Sequence, residues 1–186
     1  MTGILARVRL TQTKAAASLA VGLLAVPGIP LLAEAVSPID DWSPTTAGQV
    51  LTVTSGDGHD VTISPPPGWQ VRESANGFVL RSESGNRIMV QAYDRGGRDL
   101  DAVTRRLIRA DRVLGANAAL TDGVVSTTDG SLRGPPCVIV TVDETSGPCA
   151  FLADDDVVVS VQSLGSRAAP APPLSGLLET ISRSRP

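Results

Sequence analysis

The chain has 186 residues, enough for one domain with a hydrophobic core of its own, and 42% of them are hydrophobic. Only 3% are aromatic, so the core has to be built from Val, Leu, Ile and Ala. The formal net charge is −3; residues 1–35 carry +2, which leaves −5 on the rest of the chain. A mildly acidic domain is a poor candidate for binding nucleic acid, because that binding depends on basic side chains that neutralise phosphates.

The first 35 residues have the pattern of an export signal. Residues 1–14 carry three positive charges and no negative ones, and the stretch 15–32 carries no charge at all. The small residues Ala33 and Ala35 follow in the A-x-A pattern that a signal peptidase requires, so we expect cleavage after Ala35. An uncleaved transmembrane anchor is the alternative, since the apolar run approaches the ~20 residues that span a bilayer. Either fate places the remaining chain outside the cytoplasm, secreted or tethered to the membrane.

The next stretch, residues 36–48, is rich in Pro, Ser, Thr and Asp and predicts a spacer. A single domain is then expected over residues 49–186. Trp42 is the one large apolar side chain of the spacer. It could dock on the domain, or lie at a membrane interface if the N-terminal segment stays in the bilayer.

Four runs in the first half of the domain predict strands, because they are rich in β-branched residues and are bounded by turn residues. Alternation places Ile88, Val90 and Ala92 on one face of the last of them. Three consecutive prolines end the second run, and Gly68 after them lets the chain turn Trp69 inward. The four runs are residues 50–54, 59–64, 77–81 and 87–93.

The clearest amphipathic helix follows, with Asp99 at its N-cap and Gly115 just beyond its C-terminus. Its apolar positions recur at helical spacing, so we expect them to lie on the sheet. These positions are Leu100, Val103, Leu107, Ala110 and Leu114.

The second half of the domain predicts further strands over residues 124–128, 137–142, 148–153 and 157–161, and a last short helix over 174–182. Runs of strands with segregated helices are typical of the α+β class. The sequence therefore predicts an antiparallel β-sheet of about six or seven strands, with one central amphipathic helix and a short C-terminal helix packed on it. The apolar side of that short helix consists of Leu174, Leu177, Leu178 and Ile181.

The two cysteines, Cys137 and Cys149, predict a disulfide, because an even number in an exported chain is typical of a structural bridge. A turn centred on residues 145–146 would set Cys149 opposite Val142 and not opposite Cys137. The disulfide would then require a bulge in one strand or a cysteine outside the strands. The spacing is not C-x-x-C, and the single histidine of the chain cannot complete a zinc site.

Five stretches form a pattern: Pro66-Pro-Gly-Trp69 after a short strand, Gly77-Phe-Val-Leu80, Ile88-Met-Val90, the helix opening Leu100-Asp-Ala-Val103 and the terminal Leu177-Leu-Glu-Thr-Ile181. Together they resemble the Mog1/PsbP-like group of small α/β domains. The resemblance covers residues from about 50 to 183. With an N-terminal hydrophobic segment, the chain is similar to envelope proteins of actinobacteria, some of them tied to envelope-lipid export or type VII secretion. Members act as binding or accessory modules without a shared active site, so the resemblance implies no catalytic residue.

Three patterns in the sequence are candidates for reactive or ligand-binding sites. His59 beside Asp60 could serve as the base of a Ser-His-Asp triad, but no G-x-S-x-G motif accompanies it, so we predict a surface turn. The acidic run 154–156 could bind a hard cation, but adjacent side chains point in different directions, so we predict a solvated turn. Trp69 and Phe78 could line an apolar pocket, although the low aromatic content favours both as core residues. We therefore predict no catalytic, cofactor or metal residue.

Four arginines give the best candidate for partner binding. Arg105, Arg109 and Arg112 fall on the helix side opposite the apolar stripe, with Arg106 close by. They could hold an acidic envelope protein or anionic lipid headgroups, although a solvated helix face is the plain alternative. The sequence thus favours a non-enzymatic, extracytoplasmic binding or accessory module of the bacterial cell envelope, which could support a secretion or envelope-lipid export complex. A carrier of a lipid or small apolar ligand is the alternative, and a hydrolase using Ser and His59 a remote one.

Overall fold

The computed structural model describes residues 42–184, so the predicted signal segment with Ala33 and Ala35, and residues 36–41 of the predicted spacer, lie outside the described residues. The described part of the chain contains thirteen strands and two helices. The strands are β1 Ser43–Pro44, β2 Leu51–Thr54, β3 Asp60–Ile63, β4 Gln70–Ser74, β5 Gly77–Arg81, β6 Arg87–Asp94, β7 Ala116–Leu120, β8 Val125–Ser126, β9 Arg133–Gly134, β10 Pro136–Thr141, β11 Ser146–Ala153, β12 Val157–Leu164 and β13 Ser182–Arg183. The helices are α1 Leu100–Val113 and α2 Leu174–Leu178.

Ten of the strands form one antiparallel sheet, called the main sheet below. Its order is β1-β4-β5-β6-β12-β11-β10-β7, with β9 paired to β11 and β8 paired to β9. The other three strands form a second antiparallel sheet in the order β13-β3-β2. The prediction of an antiparallel sheet with one long and one short helix is confirmed, but the predicted count of six or seven strands was too low. The strands that the sequence did not predict are β1, β4, β7, β9 and β13.

The main sheet buries different elements on its two sides. Directly opposed residues of antiparallel strands point to the same side, so the register assigns each residue of the sheet to a side. On the core side, Val90, Leu152 and Val159 pack against the second sheet and α2 in one hydrophobic cluster. On the helix side, α1 packs through Leu107 against Phe151 and other residues of β10–β12. The short C-terminal helix thus lies on the core side and α1 on the other.

The strand β12 lies at the centre of both clusters. All eight of its residues are buried, and it pairs with β6 over its full length. Val157, Val159 and Val161 point to the core side, and Val158 points to the helix side. A nearly continuous run of valine is stable here because the strand is covered on both sides, where β-branched side chains pack well.

The helix α1 begins after Asp99, whose backbone is extended as in an N-cap, and Gly115 follows its end with φ 86. The predicted apolar stripe was only partly correct, because Ala110 is exposed and Leu114 is 82% exposed. Leu114 is the C-cap, and its backbone is no longer helical, so its side chain does not continue the apolar stripe. The helix is also rotated so that Thr104, which is completely buried, points at the sheet.

The predicted disulfide is present. Cys137 in β10 and Cys149 in β11 are directly opposed, with their Cα atoms 4.7 Å apart, and their sulfur atoms are bonded. Both residues are at most 2% exposed and belong to the cluster beneath α1. A disulfide bond is compatible with an oxidising location outside the cytoplasm.

The turn between the two cysteines was predicted at the wrong place. Thr141 receives its backbone hydrogen bond from Glu144 at 3.1 Å and donates to Thr145 O at 2.8 Å, so the loop consists of residues 142–144. Glu144 closes this loop in the left-handed conformation, with φ 59. The shift of the turn brings the cysteines opposite each other without a bulge between them.

Arg183 fastens the last strand to the rest of the domain. Its side chain is only 3% exposed; Nε donates to Asp154 Oδ2 at 3.0 Å and Nη1 donates to Asp60 O at 2.8 Å. Burial alone would raise the pKa of Asp154, but the backbone N–H groups of Val157 and Asp156, together with Arg183, lower it below its usual value. The predicted C-terminal helix, residues 174–182, was too long, because α2 ends at Leu178 and Ser182 pairs with β3.

Replacing Arg183 with Gln should lower the free energy of unfolding by about 2–3 kcal/mol at pH ~7, because Asp154 loses its charged donor in a largely buried site. A lowered carboxyl pKa contributes stability that is present above the unfolded pKa and is lost as pH falls through the folded pKa. The difference between the two proteins should therefore narrow in acid. Urea unfolding at pH ~7 and ~3 measures both effects. The exposed Arg167→Gln is the control, and an equal loss in both variants would contradict this role.

Removing the disulfide with the double variant Cys137→Ala/Cys149→Ala should lower the free energy of unfolding by about 3 kcal/mol, because the bridge closes a short loop in the unfolded chain. Urea unfolding measures this change. In the native protein, dithiothreitol should leave the bridge intact, since both cysteines are buried, and should reduce it after unfolding in urea. Alkylation followed by mass spectrometry tests this, and two reactive thiols in the untreated native protein would refute the pairing.

Candidate functional site

Three arginines of the strands β4, β5 and β6 point to the helix side of the main sheet. Arg81 is opposed to Arg87, and Arg72 is opposed to Val79, which is opposed in turn to Met89. Met89 packs against the cluster beneath α1, which identifies the side. Because opposed residues share a side, Arg72, Arg81 and Arg87 all lie on the same side as α1.

The acidic residues of these three strands point the opposite way. Glu73 is opposed to Phe78, which is buried in the cluster on the core side. Asp94 is opposed to Val157 of the same cluster, and its carboxylate accepts a hydrogen bond from the backbone of Asp57 at 3.0 Å. The register thus separates the arginines of these strands from their carboxylates.

The four predicted partner-binding arginines, Arg105, Arg106, Arg109 and Arg112, are all exposed on α1. Arg105 forms a salt bridge with Asp101 at 3.5 Å, in which both side chains are about two-thirds exposed. Such a pair contributes little to stability, since solvent screens it. The sequence-based prediction and the strand register together define one surface, called the arginine face below. It consists of Arg72, Arg81, Arg87, Arg105, Arg106, Arg109 and Arg112.

The arginine face is a positive surface on an acidic domain. The described residues include twelve arginines and sixteen acidic residues. Seven of those arginines belong to this face, whereas α1 and strands β4 to β6 contribute only Asp101 and Asp111 to it. The four helical arginines were predicted from their spacing in the sequence, whereas the three strand arginines were not. The alternation of residues along β4 could have revealed Arg72, had that strand been recognised.

Trp42 lies on the arginine face as well. The Cζ atom of Arg81 is 4.3 Å from the centroid of its ring, and that of Arg72 is 5.0 Å away. Both distances are within the range of cation–π attraction. The strand β1 follows at once and pairs with β4, with Ser43 opposed to Val71. Of the two alternatives for Trp42, the structure shows docking on the domain.

A groove of about 710 Å³ runs between α1 and the end of β6. Its lining combines apolar Val103 and Leu107 with Tyr93, and it includes the side chains of Arg98 and Arg106. The Tyr93 hydroxyl donates to a neighbouring glutamine of β6 at 3.0 Å, and burial raises the pKa of Tyr93. The groove is open to solvent and adjoins the arginine face through Arg106.

Asp111 connects α1 to the centre of the main sheet. Its Oδ2 accepts a hydrogen bond at 3.0 Å from Gln162 Nε2, and Gln162 is only 4% exposed. Burial raises the pKa of Asp111, and the hydrogen bond from Gln162 offsets only part of that effect. This carboxylate therefore offsets part of the positive charge of the face.

The other residues that the sequence analysis examined lie away from the arginine face. The backbone N–H of His59 donates to Ser55 Oγ at 3.3 Å in the turn between β2 and β3. Phe78 is buried in the core at 3% exposure, whereas Trp69 packs only partly against it and lines a second, apolar groove of about 460 Å³ together with prolines. The run 154–156 forms a turn, in which Asp154 accepts hydrogen bonds from two backbone N–H groups.

Within residues 42–184, no group of three or more His, Cys, Asp or Glu side chains could hold a metal ion. No helix in the same range is both long and apolar enough to cross a membrane.

Comparison with known proteins assigns no family to the chain. It matches no protein-family model, and no curated protein matches it. The likeness to Mog1/PsbP-like domains stays a prediction from the sequence.

Asp111→Asn should stabilise the protein, because the amide oxygen can still accept from Gln162 while the cost of burying a carboxylate disappears. A carboxyl group whose pKa is raised by folding stabilises the native state at low pH. That stabilisation is lost as the pH rises through the folded pKa. The gain should therefore be near zero at pH ~3 and positive at pH ~7, though below about 1 kcal/mol, since solvent screens part of the group.

Thermal unfolding at the two pH values measures this gain. Asp101→Asn is the matched control, because it removes an exposed aspartate from the same helix and should shift stability by less than about 0.5 kcal/mol. A loss of stability in Asp111→Asn at pH ~7 would show that the carboxylate is favourable where it lies.

Proposed function

We propose that the protein is an extracytoplasmic, non-enzymatic binding module of the bacterial cell envelope, which attaches to an anionic partner through the arginine face. The observation that carries this proposal is the gathering of seven arginines on one side of an acidic domain. Because the net charge of the protein is negative, its total charge does not attract anions. An anionic partner would therefore meet a favourable potential at this surface rather than over the whole molecule.

The chemistry of the side chains supports an anionic partner. The guanidinium group presents several N–H donors in one plane, which matches the oxygen atoms of a carboxylate or a phosphate. Within the described residues, the four arginines of α1 form one exposed salt bridge, from Arg105 to Asp101, and one hydrogen bond, from Arg109 Nε to Arg105 O at 3.1 Å. Most of their donors therefore face solvent and can exchange water for a partner.

Three observations support the proposed compartment. The basic, apolar and A-x-A sections of residues 1–35 follow the order of an export signal. The disulfide between Cys137 and Cys149 is compatible with an oxidising environment. The resemblance to Mog1/PsbP-like domains suggests an accessory role in an envelope complex, such as one for secretion or envelope-lipid export.

The groove between α1 and β6 favours a second candidate, a carrier of a lipid or small apolar ligand. Its volume of about 710 Å³ falls in the range of small-molecule sites, and Val103 and Leu107 give it an apolar wall. Replacing Leu107 with Trp should fill this groove. Lipid extraction from the native protein and from Leu107→Trp would then reveal a bound ligand that is lost in the variant.

Site-specific photo-crosslinking of the full chain in cells tests the attachment. Val113 lies on α1 beside Arg112 and is 87% exposed, whereas Val50 precedes the second sheet and is 57% exposed. A photoreactive amino acid at Val113 should give adducts that are absent when it replaces Val50. Neither probe alters a charge, so the two positions form a matched pair.

The adducts at Val113 should fall at least about tenfold when the four arginines of α1 are replaced by glutamine, because the attraction to an anion is lost. Mass spectrometry identifies and counts the adducts. Equal yields at both probe positions, or a yield at Val113 that does not respond to the glutamine variant, would refute attachment through this face.

A further inference from the structure

We propose that the anionic partner of the arginine face is the surface of a lipid bilayer that contains acidic phospholipids. This inference rests on the proposed function and names the kind of partner. It is drawn from how charged, aromatic and apolar side chains are distributed over the helix side of the main sheet.

The arginines are spread across the sheet rather than gathered in a pocket. Arg72, Arg81 and Arg87 come from three neighbouring strands at one end of the sheet order, and the other four come from the helix that covers β10–β12. A protein–protein interface concentrates most of its binding energy in a few side chains clustered near its centre. A bilayer instead presents many phosphates over a broad surface, and each arginine close to that surface adds a similar increment of attraction.

Exposed apolar side chains adjoin the arginines where α1 ends. Val113 is 87% exposed and Leu114 is 82% exposed, directly after Arg112. Val142, which is 73% exposed, lies beside them, because its backbone N–H donates to Gly115 O at 2.9 Å. Aliphatic side chains next to basic ones are typical of helices that bind at the membrane interface, where the apolar groups enter the headgroup region.

Trp42 provides a similar group at the other end of the sheet. It is held against Arg72 and Arg81 on β4 and β5, whereas Val142 follows β10 near the opposite edge. Its ring is only partly buried. Tryptophan is enriched at membrane interfaces, because it combines an apolar ring with a polar N–H. Interfacial side chains therefore lie at both ends of the arginine face, and this favours a membrane over an acidic protein.

Fluorescence of the full chain reconstituted with lipid vesicles tests this inference. An environment-sensitive amino acid replaces Val113, and the matched control carries it at Val50. With vesicles of phosphatidylcholine containing about 30% phosphatidylglycerol, emission from Val113 should shift to the blue as the probe enters the interface. With phosphatidylcholine alone it should not shift, and the Val50 probe should not respond to either vesicle.

Variants of the same chain separate charge from apolar contact. Replacing the four arginines of α1 with glutamine should weaken docking on the order of a thousandfold, whereas replacing them with lysine should retain most of it, since the charge is kept. Leu114→Ser should weaken docking severalfold without changing the charge. The exposed Arg167→Gln should change nothing. About 0.5 M NaCl should reverse docking, because it screens charges at this distance.

The outcomes distinguish this inference from the proposed function. Equal emission shifts with both kinds of vesicle, or a shift that survives the glutamine variant, would overturn docking on acidic lipid. Reversal by about 10 mM inorganic phosphate at constant ionic strength would also overturn it, because a site for soluble phosphate would then explain the binding. If Val113 formed adducts in cells only with a protein and showed no vesicle response, the membrane assignment would fall and the proposed function would stand. If those adducts were also missing, both would fall.

Discussion

The pairing of β6 with β12 is the constraint on which the rest of the structure depends. Eight consecutive residue pairs join the two strands, and every side chain of β12 is buried. One row of that strand packs toward the second sheet and the other toward α1. A slip of one residue would exchange the two rows, so that Val159 would face α1 and Val158 the second sheet. The same slip in the neighbouring strands would turn Arg81 and Arg72 into the core. The hydrophobic core and the arginine face are therefore two results of one register.

The strands and helices predicted correctly are those whose own residues favour the observed secondary structure. The strand Gly77–Arg81 was predicted at its observed bounds, and β12 was evident from its valines. The strands that were missed depend on distant partners. β7 is rich in alanine, which is not typical of strands, and it is extended because it pairs with β10. Ser182, the first residue of β13, was predicted as helix, since its partner strand β3 lies about 120 residues earlier in the chain. Tertiary pairing overrode local preference at both places.

The candidate site was likewise predictable only where its residues follow a local pattern in the sequence. The arginines of α1 follow the period of a helix, so their clustering was visible in the sequence. Arg72, Arg81 and Arg87 join them only through strand pairing, which local patterns do not reveal. The disulfide followed from the cysteine count, but the turn between the cysteines did not. Glycine is typical of turns, so Gly147 favoured a turn in the sequence. It lies instead in β11, where Ser163 O leaves no room for a Cβ atom. The left-handed position is instead occupied by Glu144, a residue type that gives no signal for it.

The burial of both cysteines beneath α1 has a consequence for the order of events during biogenesis. In the folded protein the docked helix together with Phe151 covers both cysteines, so an oxidant has access to the thiols only while α1 is away from the sheet. Bond formation therefore has to precede the settling of α1 on the sheet. The hairpin of β10 and β11 is local enough to bring the thiols together early, since only twelve positions separate them. A chain that docked its helix first would have to release it again before its two thiols could be oxidised.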